Sequence, residues 1–336
     1  MSKARTLQVF STAPQSRDAD SESYAKTVRE AARWSEAAGC DGMLVYADNG
    51  IVDPWLVAQL IIEATDRLSP LVAVQPVYMH PYSVAKMVSS LAYLHGRRVC
   101  LNMVAGGFRN DLLSLGDETP HDERYARLVE YVRVVEHLLT GQKLVSFSGR
   151  YYRVEKLRLT PPIAPACLPG LLMSGSSSAG LAAAQALKAT PIKYPRPSAL
   201  EEAQEGEPRP GMRLGIIARP DREEAWRVAY QRFPEDRAGQ IAQRLAMRVS
   251  DSEWHRQLSE LANAGASEDQ PYWLGPFQNY KTFCPYLVGD LARVRDELIR
   301  YMQLGFCTFI LDIAADEREL GETLTLLRCA WEAART

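Results

Sequence analysis

A (β/α)8 barrel with insertions is the fold class the sequence predicts, and three observations predict it. Eight short apolar runs recur along the chain, seven of them followed directly by a segment with helical spacing. Such alternation implies a parallel sheet covered by helices. Eight units over 336 residues suit a barrel. The exit of the first run, VFSTAPQ, holds no glycine. A doubly wound open sheet, the runner-up, normally follows its first strand with G-x-G-x-x-G. The chain therefore reads as one domain, 1–336, with insertions at about 143–155 and 234–285.

In chain order, TLQVFST (6–12) is strand-like. From Ser21 to Gly39, the positions Tyr24, Val28, Ala31, Ala32 and Ser35 follow helical spacing, and Gly39 is a stop. DGMLVYAD (41–48) is a strand. Asp53 reads as an N-cap and Pro54 as the first position of a helix to about Arg67. SPLVAVQP (69–76), a helix from Pro81 to Leu94 and RRVCLNMV (97–104) continue the rhythm. A polar loop leads to a helix from about His121 to Leu139. KLVSFSGRYYRVE (143–155) breaks the pattern, because two alternating runs meet at Ser148-Gly149 as a β-hairpin. LPGLLMSG (168–175) is a strand, Ser178 to Leu187 a helix and ATPIKYP (189–195) a short strand. MRLGIIAR (212–219) is the next strand, before a helix from Asp221 to Phe233. Beyond 234–285, a helix (Asp290 to Leu304), a strand CTFILDI (307–313) and a helix (Glu317 to Ala334) complete the cycle.

Bulk composition narrows the function. A net charge of −2, from 39 basic and 41 acidic residues, leaves no basic excess for nucleic acid. No apolar run reaches the roughly 18–20 residues of a membrane helix. The start MSKARTLQVF has no signal-peptide apolar region. Six cysteines, at 40, 100, 167, 284, 307 and 329, make no C-x-x-C pair and no zinc spacing with the five histidines. Cys40, Cys100, Cys307 and Cys329 sit in apolar stretches and read as buried thiols. The expectation is a cytoplasmic protein with reduced thiols and no metal, membrane or nucleic-acid partner.

A barrel carries its chemistry at the C-terminal ends of its strands. There the sequence puts Tyr46, Asp48 and Asn49, then Gln75, Tyr78 and His80, then Asn102 with Gly106-Gly107. Ser174 to Ser178 follow, then Lys193, Tyr194 and Arg196, then Arg219 and Asp312. Tyr46, Tyr78 and His80 are candidate substrate contacts. In MSGSSSAG (173–180) a strand runs through Gly175 into three hydroxyls and a helix. Free N–H groups at a helix start, the hydroxyls of Ser176 and Ser177 and a glycine permitting close approach form a phosphate cradle. A plain N-cap at Ser177 or Ser178 fits the same spacing, and the late position of phosphate sites in barrels favours the cradle. HDERYARLVEY (121–131) sets acidic residues at the positive end of a helix. Arg124 and Tyr125 on that helix have the reach to meet an anion or a ring. No Ser–His–Asp order, carboxylate pair or Walker loop stands out, and no residue is marked as catalytic acid or base. The chemistry is expected to belong to a bound cofactor.

Four segments carry a resemblance: RRVCLNMVAGG, HDERYARLVEYVRVVEHLL, VSFSGRYYRVE and PGLLMSGSSSAGLAAAQAL. Their order and spacing resemble the bacterial luciferase-like flavin monooxygenases, with the alkanesulfonate monooxygenase branch most similar. DPWLVAQLIIEATDRLSPLVAVQPVYMHP and LVGDLARVRDELIRYMQLGFCTFIL match as well, so the likeness covers about 5–233 and 286–332. The resemblance implies a barrel that binds reduced FMN (FMNH2) from a separate NAD(P)H-dependent flavin reductase. Dioxygen would add to the flavin, and the peroxyflavin would oxygenate a small-molecule or carrier-bound substrate. It implies a place by the flavin ring for Asn102. It puts Gly175, Ser176 and Ser177 at the phosphate, with Tyr125 and Arg124 near it. Tyr194 stands where the family has a tryptophan. A homodimer or higher homo-oligomer is implied too.

Departures from the sulfonate enzymes argue against a simple alkanesulfonate. Ile51 stands about where they carry a cysteine, and Ser11-Thr12-Ala13-Pro14 replaces a histidine at the end of the first strand. On the seventh strand Ile217 is read at the place of their arginine, and the helix after strand six is cut down to SALEEAQEGEPRPG. The insertion 234–285 replaces the family's mobile loop, and YWLGPFQNYKTFCPY (272–286) crowds aromatics into it. A lid and a subunit contact both fit; the lid is favoured, with Gln278, Asn279 and Tyr280 as substrate contacts. The function expected is oxygenation of a small organic or biosynthetic substrate. A deazaflavin-dependent oxidoreductase and a non-catalytic flavin-binding relative are the alternatives.

Overall fold

The computed structural model describes residues 6–141, 144–204, 208–250, 252–263 and 270–335. Residue 143 of the hairpin and residues 251 and 264–269 of the insertion lie outside the described residues. The chain runs through β1 (Gln8–Thr12), α1 (Tyr24–Ala38), β2 (Gly42–Val45), α2 (Pro54–Ala64), β3 (Ser69–Val74), α3 (Pro81–His95) and β4 (Cys100–Val104). It continues with α4 (Arg109–Ser114), α5 (His121–Thr140), the hairpin β5 (Val145–Ser148) and β6 (Arg153–Leu157), then β7 (Gly170–Ser174), α6 (Ser178–Leu187) and β8 (Thr190–Lys193). Next come β9 (Gly211–Arg219), α7 (Arg222–Arg232), α8 (Arg237–Val249), α9 (Glu253–Asn263), β10 (Tyr272–Trp273) and α10 (Gly275–Gln278). The last elements are β11 (Tyr286–Asp290), α11 (Leu291–Gln303), β12 (Thr308–Leu311) and α12 (Glu317–Ala333). The fold class is the (β/α)8 barrel, carried by the parallel strands β1, β2, β3, β4, β7, β8, β9 and β12.

Two compact units make up the chain. One consists of Ala13–Glu36 and Asp41–Pro191. In it β2, β3, β4 and β7 pair in parallel in that order, with Leu71 opposite Cys100 and Asn102 opposite Leu172. Successive residues of a strand point to opposite faces. Leu101, Met103 and Met173 pack with Val84 and Val88 of α3, Leu128 and Val135 of α5 and Ala184 of α6. Asn102 and Ser174, on the alternate positions, therefore face away from the helices. Glu130 of α5 accepts the backbone N–H groups of Arg150, Tyr151 and Tyr152, which clasps the hairpin turn onto the helix.

The other unit contains the chain up to Thr12, Ala37–Cys40 and everything from Ile192. Here β12 pairs in parallel with β1 (Val9 opposite Phe309) and with β9 (Ile310 opposite Arg213). β8 meets the start of β9 at Ile192 and Gly211. The far half of β9, from Gly215 to Arg219, pairs instead with β11, and β10 lies antiparallel on β11. Gly215 is required at that junction. A Cβ there would fall 2.2 Å from the Tyr286 ring, so only glycine admits the tyrosine.

Several sequence expectations need correction. β11 was not anticipated, because YLVGD is a short run squeezed between Pro285 and the N-cap Asp290. The polar loop after β4 contains α4. α2 stops at Ala64, not near Arg67, because Thr65 is extended and its carbonyl accepts from the Arg97 guanidinium. Cys329 is exposed and Cys307 half-buried, because Cys329 lies on the outward side of α12 between the buried Leu326 and Ala330. Among the described residues no helix is long and apolar enough to cross a membrane.

Candidate active site

The exits of β4 and β7 and the first turns of α5 and α6 form one polar cluster. Asn102 is 5% exposed, and its Oδ1 accepts from the Ser174 hydroxyl at 3.0 Å. That bond fixes the orientation of the amide and leaves its NH2 as donor. Beyond Ser174 the backbone passes through Gly175 at φ 148°. A Cβ at Gly175 would stand 2.4 Å from the Tyr125 hydroxyl, and one at Gly180 3.2 Å from the same side chain. Tyr125 therefore lies lengthwise across the start of α6, with His121 edge-on to its ring at 5.2 Å. Arg124 is 2% exposed beside it.

The three serines divide their work. Ser177 is the N-cap of α6, and its Oγ accepts from the Gly180 N–H at 3.1 Å. Ser178 is exposed. Ser176 Oγ is buried with no protein partner, the costly state that a ligand hydrogen bond relieves. The orphaned hydroxyl, the free N–H groups of the α6 start and a backbone that tolerates no side chain fit an anionic group such as the phosphate of FMN. Leu112 of α4 packs against Gly106.

The loop before α5 is held by charge. Asp117 accepts from Arg127 at 2.6 and 3.1 Å and from the Thr119 hydroxyl at 2.6 Å. Burial by itself would raise this carboxyl, but the Arg127 and Thr119 bonds outweigh it and hold the pKa down at about 2.

At the exits of β2 and β3, the Tyr78 hydroxyl donates to Asn49 Oδ1 at 2.7 Å, and Asn49 Nδ2 donates to the Asp111 carbonyl at 3.3 Å. Burial, helped by Asp48 and Asp111, pushes the Tyr78 phenol up to about 12, so it stays a neutral donor. Tyr46 is half-buried at the exit of β2. His80 has a structural task, because its Nδ1 accepts from the Tyr82 N–H as the N-cap of α3.

The unit from Ile192 onward gathers a second cluster from the ends of β8 and β12, the first half of β9 and the start of β11. Arg213 donates to the Tyr194 hydroxyl at 3.0 Å and lies 3.5 Å from Asp312. The Tyr286 hydroxyl donates to the other Asp312 oxygen at 2.9 Å. Burial pushes the Cys284 thiol up to about 12 and raises both phenols. The seventh strand carries a buried arginine, Arg213, while Ile217 packs among apolar residues of β11 and α7. The signal was a charge flanked by Met212 and Leu214 inside a strand.

In the insertion, Trp254 of α9 lies against the Tyr194 ring at 4.3 Å and edge-on to Phe283 at 5.6 Å. Trp254 carried no signal in the sequence, since it lies outside the aromatic run. Asn279 is buried, accepts from the Asp236 N–H and Gln240 Nε2, and donates to the Pro234 carbonyl. Gln278 is exposed and donates to the Ala262 carbonyl, and Tyr280 is exposed with Phe283 edge-on at 5.9 Å. The described residues contain no group of three or more potential metal ligands.

Comparison with known proteins fits this architecture. The chain is 36% identical over 297 residues, 86% of either chain, to the 4-(gamma-L-glutamylamino)butanoyl-[BtrI acyl-carrier protein] monooxygenase BtrO of Niallia circulans. A riboflavin lyase solved with modified FMN and riboflavin superposes with a TM-score of 0.75 at 16% identity, covering 98% of this chain and 92% of the other. An F420-dependent secondary alcohol dehydrogenase gives 0.65 at 17% identity, covering 96% and 99%. The family profile described as luciferase-like monooxygenase matches residues 6–308. The chain belongs to the luciferase-like monooxygenase family.

Proposed function

We propose that the protein is an FMNH2-dependent, two-component monooxygenase of the cytoplasm. Its substrate in this reading is an acyl or aminoacyl group on a carrier protein, not a simple alkanesulfonate. The observation that carries the cofactor is the buried, unpartnered Ser176 Oγ beside Gly175 and the start of α6. Bound reduced FMN supplies two electrons, so that one atom of dioxygen enters the substrate and the other leaves as water. The protein's own groups bind and orient. Ser176 and the α6 N–H groups take the phosphate, Arg124 adds positive charge and Tyr125 fixes the cradle's floor. Asn102, pinned by Ser174, offers its NH2 to the ring.

Tyr194 completes the flavin contacts in this reading. Tyr46, Tyr78, Gln278 and Tyr280 are its substrate contacts, while Asn279 braces the insertion. The insertion acts as a lid, and Trp254 against Tyr194 supports that role. A separate NAD(P)H-dependent reductase supplies FMNH2. The exposed Leu56, Tyr93 and Leu94 suit burial in a homo-oligomer. The carrier-bound substrate is supported by the likeness to a monooxygenase of a carrier-bound acyl group, and by the missing cysteine and first-strand histidine of the sulfonate branch.

Anaerobic titration with FMNH2, followed by flavin fluorescence, tests the cofactor. Ser176→Ala is expected to weaken binding about 10-fold or more, since a hydrogen bond to a charged group contributes about 1.5–3 kcal/mol. Unchanged affinity would move the phosphate elsewhere. Binding of a deazaflavin with none of FMNH2 would overturn the reading in favour of the deazaflavin alternative.

A further inference from the structure

The helix α8 is packed inside out. Its Gly239 sits against the Asn279 carbonyl, where a Cβ would come within 2.2 Å, and Gln243 is 7% exposed. Ile241 and Leu245 are 53% and 57% exposed. A helix covering a core normally turns its aliphatic stripe inward. At about 100° per residue, Arg244, Arg237, Arg248, Ile241 and Leu245 fall in one arc of roughly 100°. The three arginines are exposed and make no ion pair or side-chain hydrogen bond among the described residues. Neighbouring charges do pair: Arg256 of α9 with Glu253 and Glu260, and Lys281 with Asp236.

We propose that this arc of α8 docks the acyl carrier protein that delivers the substrate, by receiving an acidic amphipathic helix of that partner. The proposal rests on the carrier-bound reading given above. Two aliphatic anchors at i and i+4 beside a row of positive charge match one helix face. The whole chain carries −2, so the positive arc is local and selects an acidic patch rather than a nucleic acid. Such charges chiefly raise the association rate and set orientation.

The test uses the full chain and the BtrI carrier protein loaded with the 4-(γ-L-glutamylamino)butanoyl thioester, beside the same thioester on free pantetheine. Carrier affinity is read by fluorescence anisotropy and turnover by KM. In Arg237→Glu/Arg244→Glu/Arg248→Glu we expect carrier Kd and KM to rise at least tenfold, with pantetheine kinetics and FMNH2 affinity unchanged. The triple Arg→Lys variant should retain most of the affinity. Raising salt from about 50 to about 500 mM should weaken carrier binding by the wild type and hardly affect the triple-Glu variant. Equal carrier affinity in wild type and triple-Glu variant overturns the proposal while leaving the carrier-bound reading standing. A change of oligomeric size in Ile241→Asp/Leu245→Asp also overturns it, assigning the face to a second copy. No preference of the wild type for carrier over pantetheine thioester sinks the carrier-bound reading itself.

Discussion

Gly175→Ala probes the cradle most directly. The backbone there has φ 148°, a region where an L side chain costs about 1–3 kcal/mol. The new methyl would meet the Tyr125 hydroxyl at 2.4 Å and the ring carbon bearing it at 3.2 Å. Overpacking of this kind adds about 1–3 kcal/mol. After partial relaxation, a loss of about 3 kcal/mol is expected in urea unfolding followed by tryptophan fluorescence. Tyr125→Phe deletes only the clashing oxygen, so the nearest atom becomes the ring carbon. The double variant should therefore regain about 1–2 kcal/mol, seen as a coupling energy in the double-mutant cycle. A Gly175→Ala effect below about 0.5 kcal/mol, or no coupling to Tyr125→Phe, would show that the Tyr125 hydroxyl is not lodged on Gly175.

Three further outcomes are expected. Ser177→Ala should cost about 1 kcal/mol of stability through loss of the α6 cap, whereas Ser176→Ala, which removes a buried hydroxyl with no protein partner, should be neutral or stabilising by up to about 1 kcal/mol; equal losses would erase the distinction. The Asp117 carboxyl, held at about 2 in the folded protein, lies below its unfolded value near 3.9. It therefore contributes about 2 kcal/mol that is present above pH 4 and lost as pH falls towards 2. Asp117→Asn should flatten that acid slope, and an unaltered slope refutes the assignment. Arg213→Met leaves Asp312 buried without its cation and should cost about 3–5 kcal/mol, only part of it recovered by adding Asp312→Leu, which in turn leaves the Tyr286 hydroxyl without its acceptor; a cost under about 1 kcal/mol would mean that water already solvates the pair.

The sequence by itself determined the alternation of strands and helices, because each β–α unit is written in local periodicity and punctuated by local caps such as Asp53-Pro54 and Asp221. It also determined that Asn102 turns away from the helices, since alternation along VCLNMV assigns its face once Leu101 and Met103 are apolar. Which serine of Ser176-Ser177-Ser178 caps α6 and which stays free depends on a fraction of a helical turn, and the Gly175 kink against Tyr125 decided it. Arg213 found its partner 99 residues away in Asp312, a pairing to which no spacing rule applies. The outward aliphatic face of α8 was equally illegible. Its sequence is amphipathic in the ordinary way, and only the clamp by Asn279, some 40 residues on, turns Gly239 and Gln243 inward and leaves Ile241 and Leu245 facing water. Local chemistry chooses the elements, but which side of an element meets the protein is set by distant residues competing for the same space.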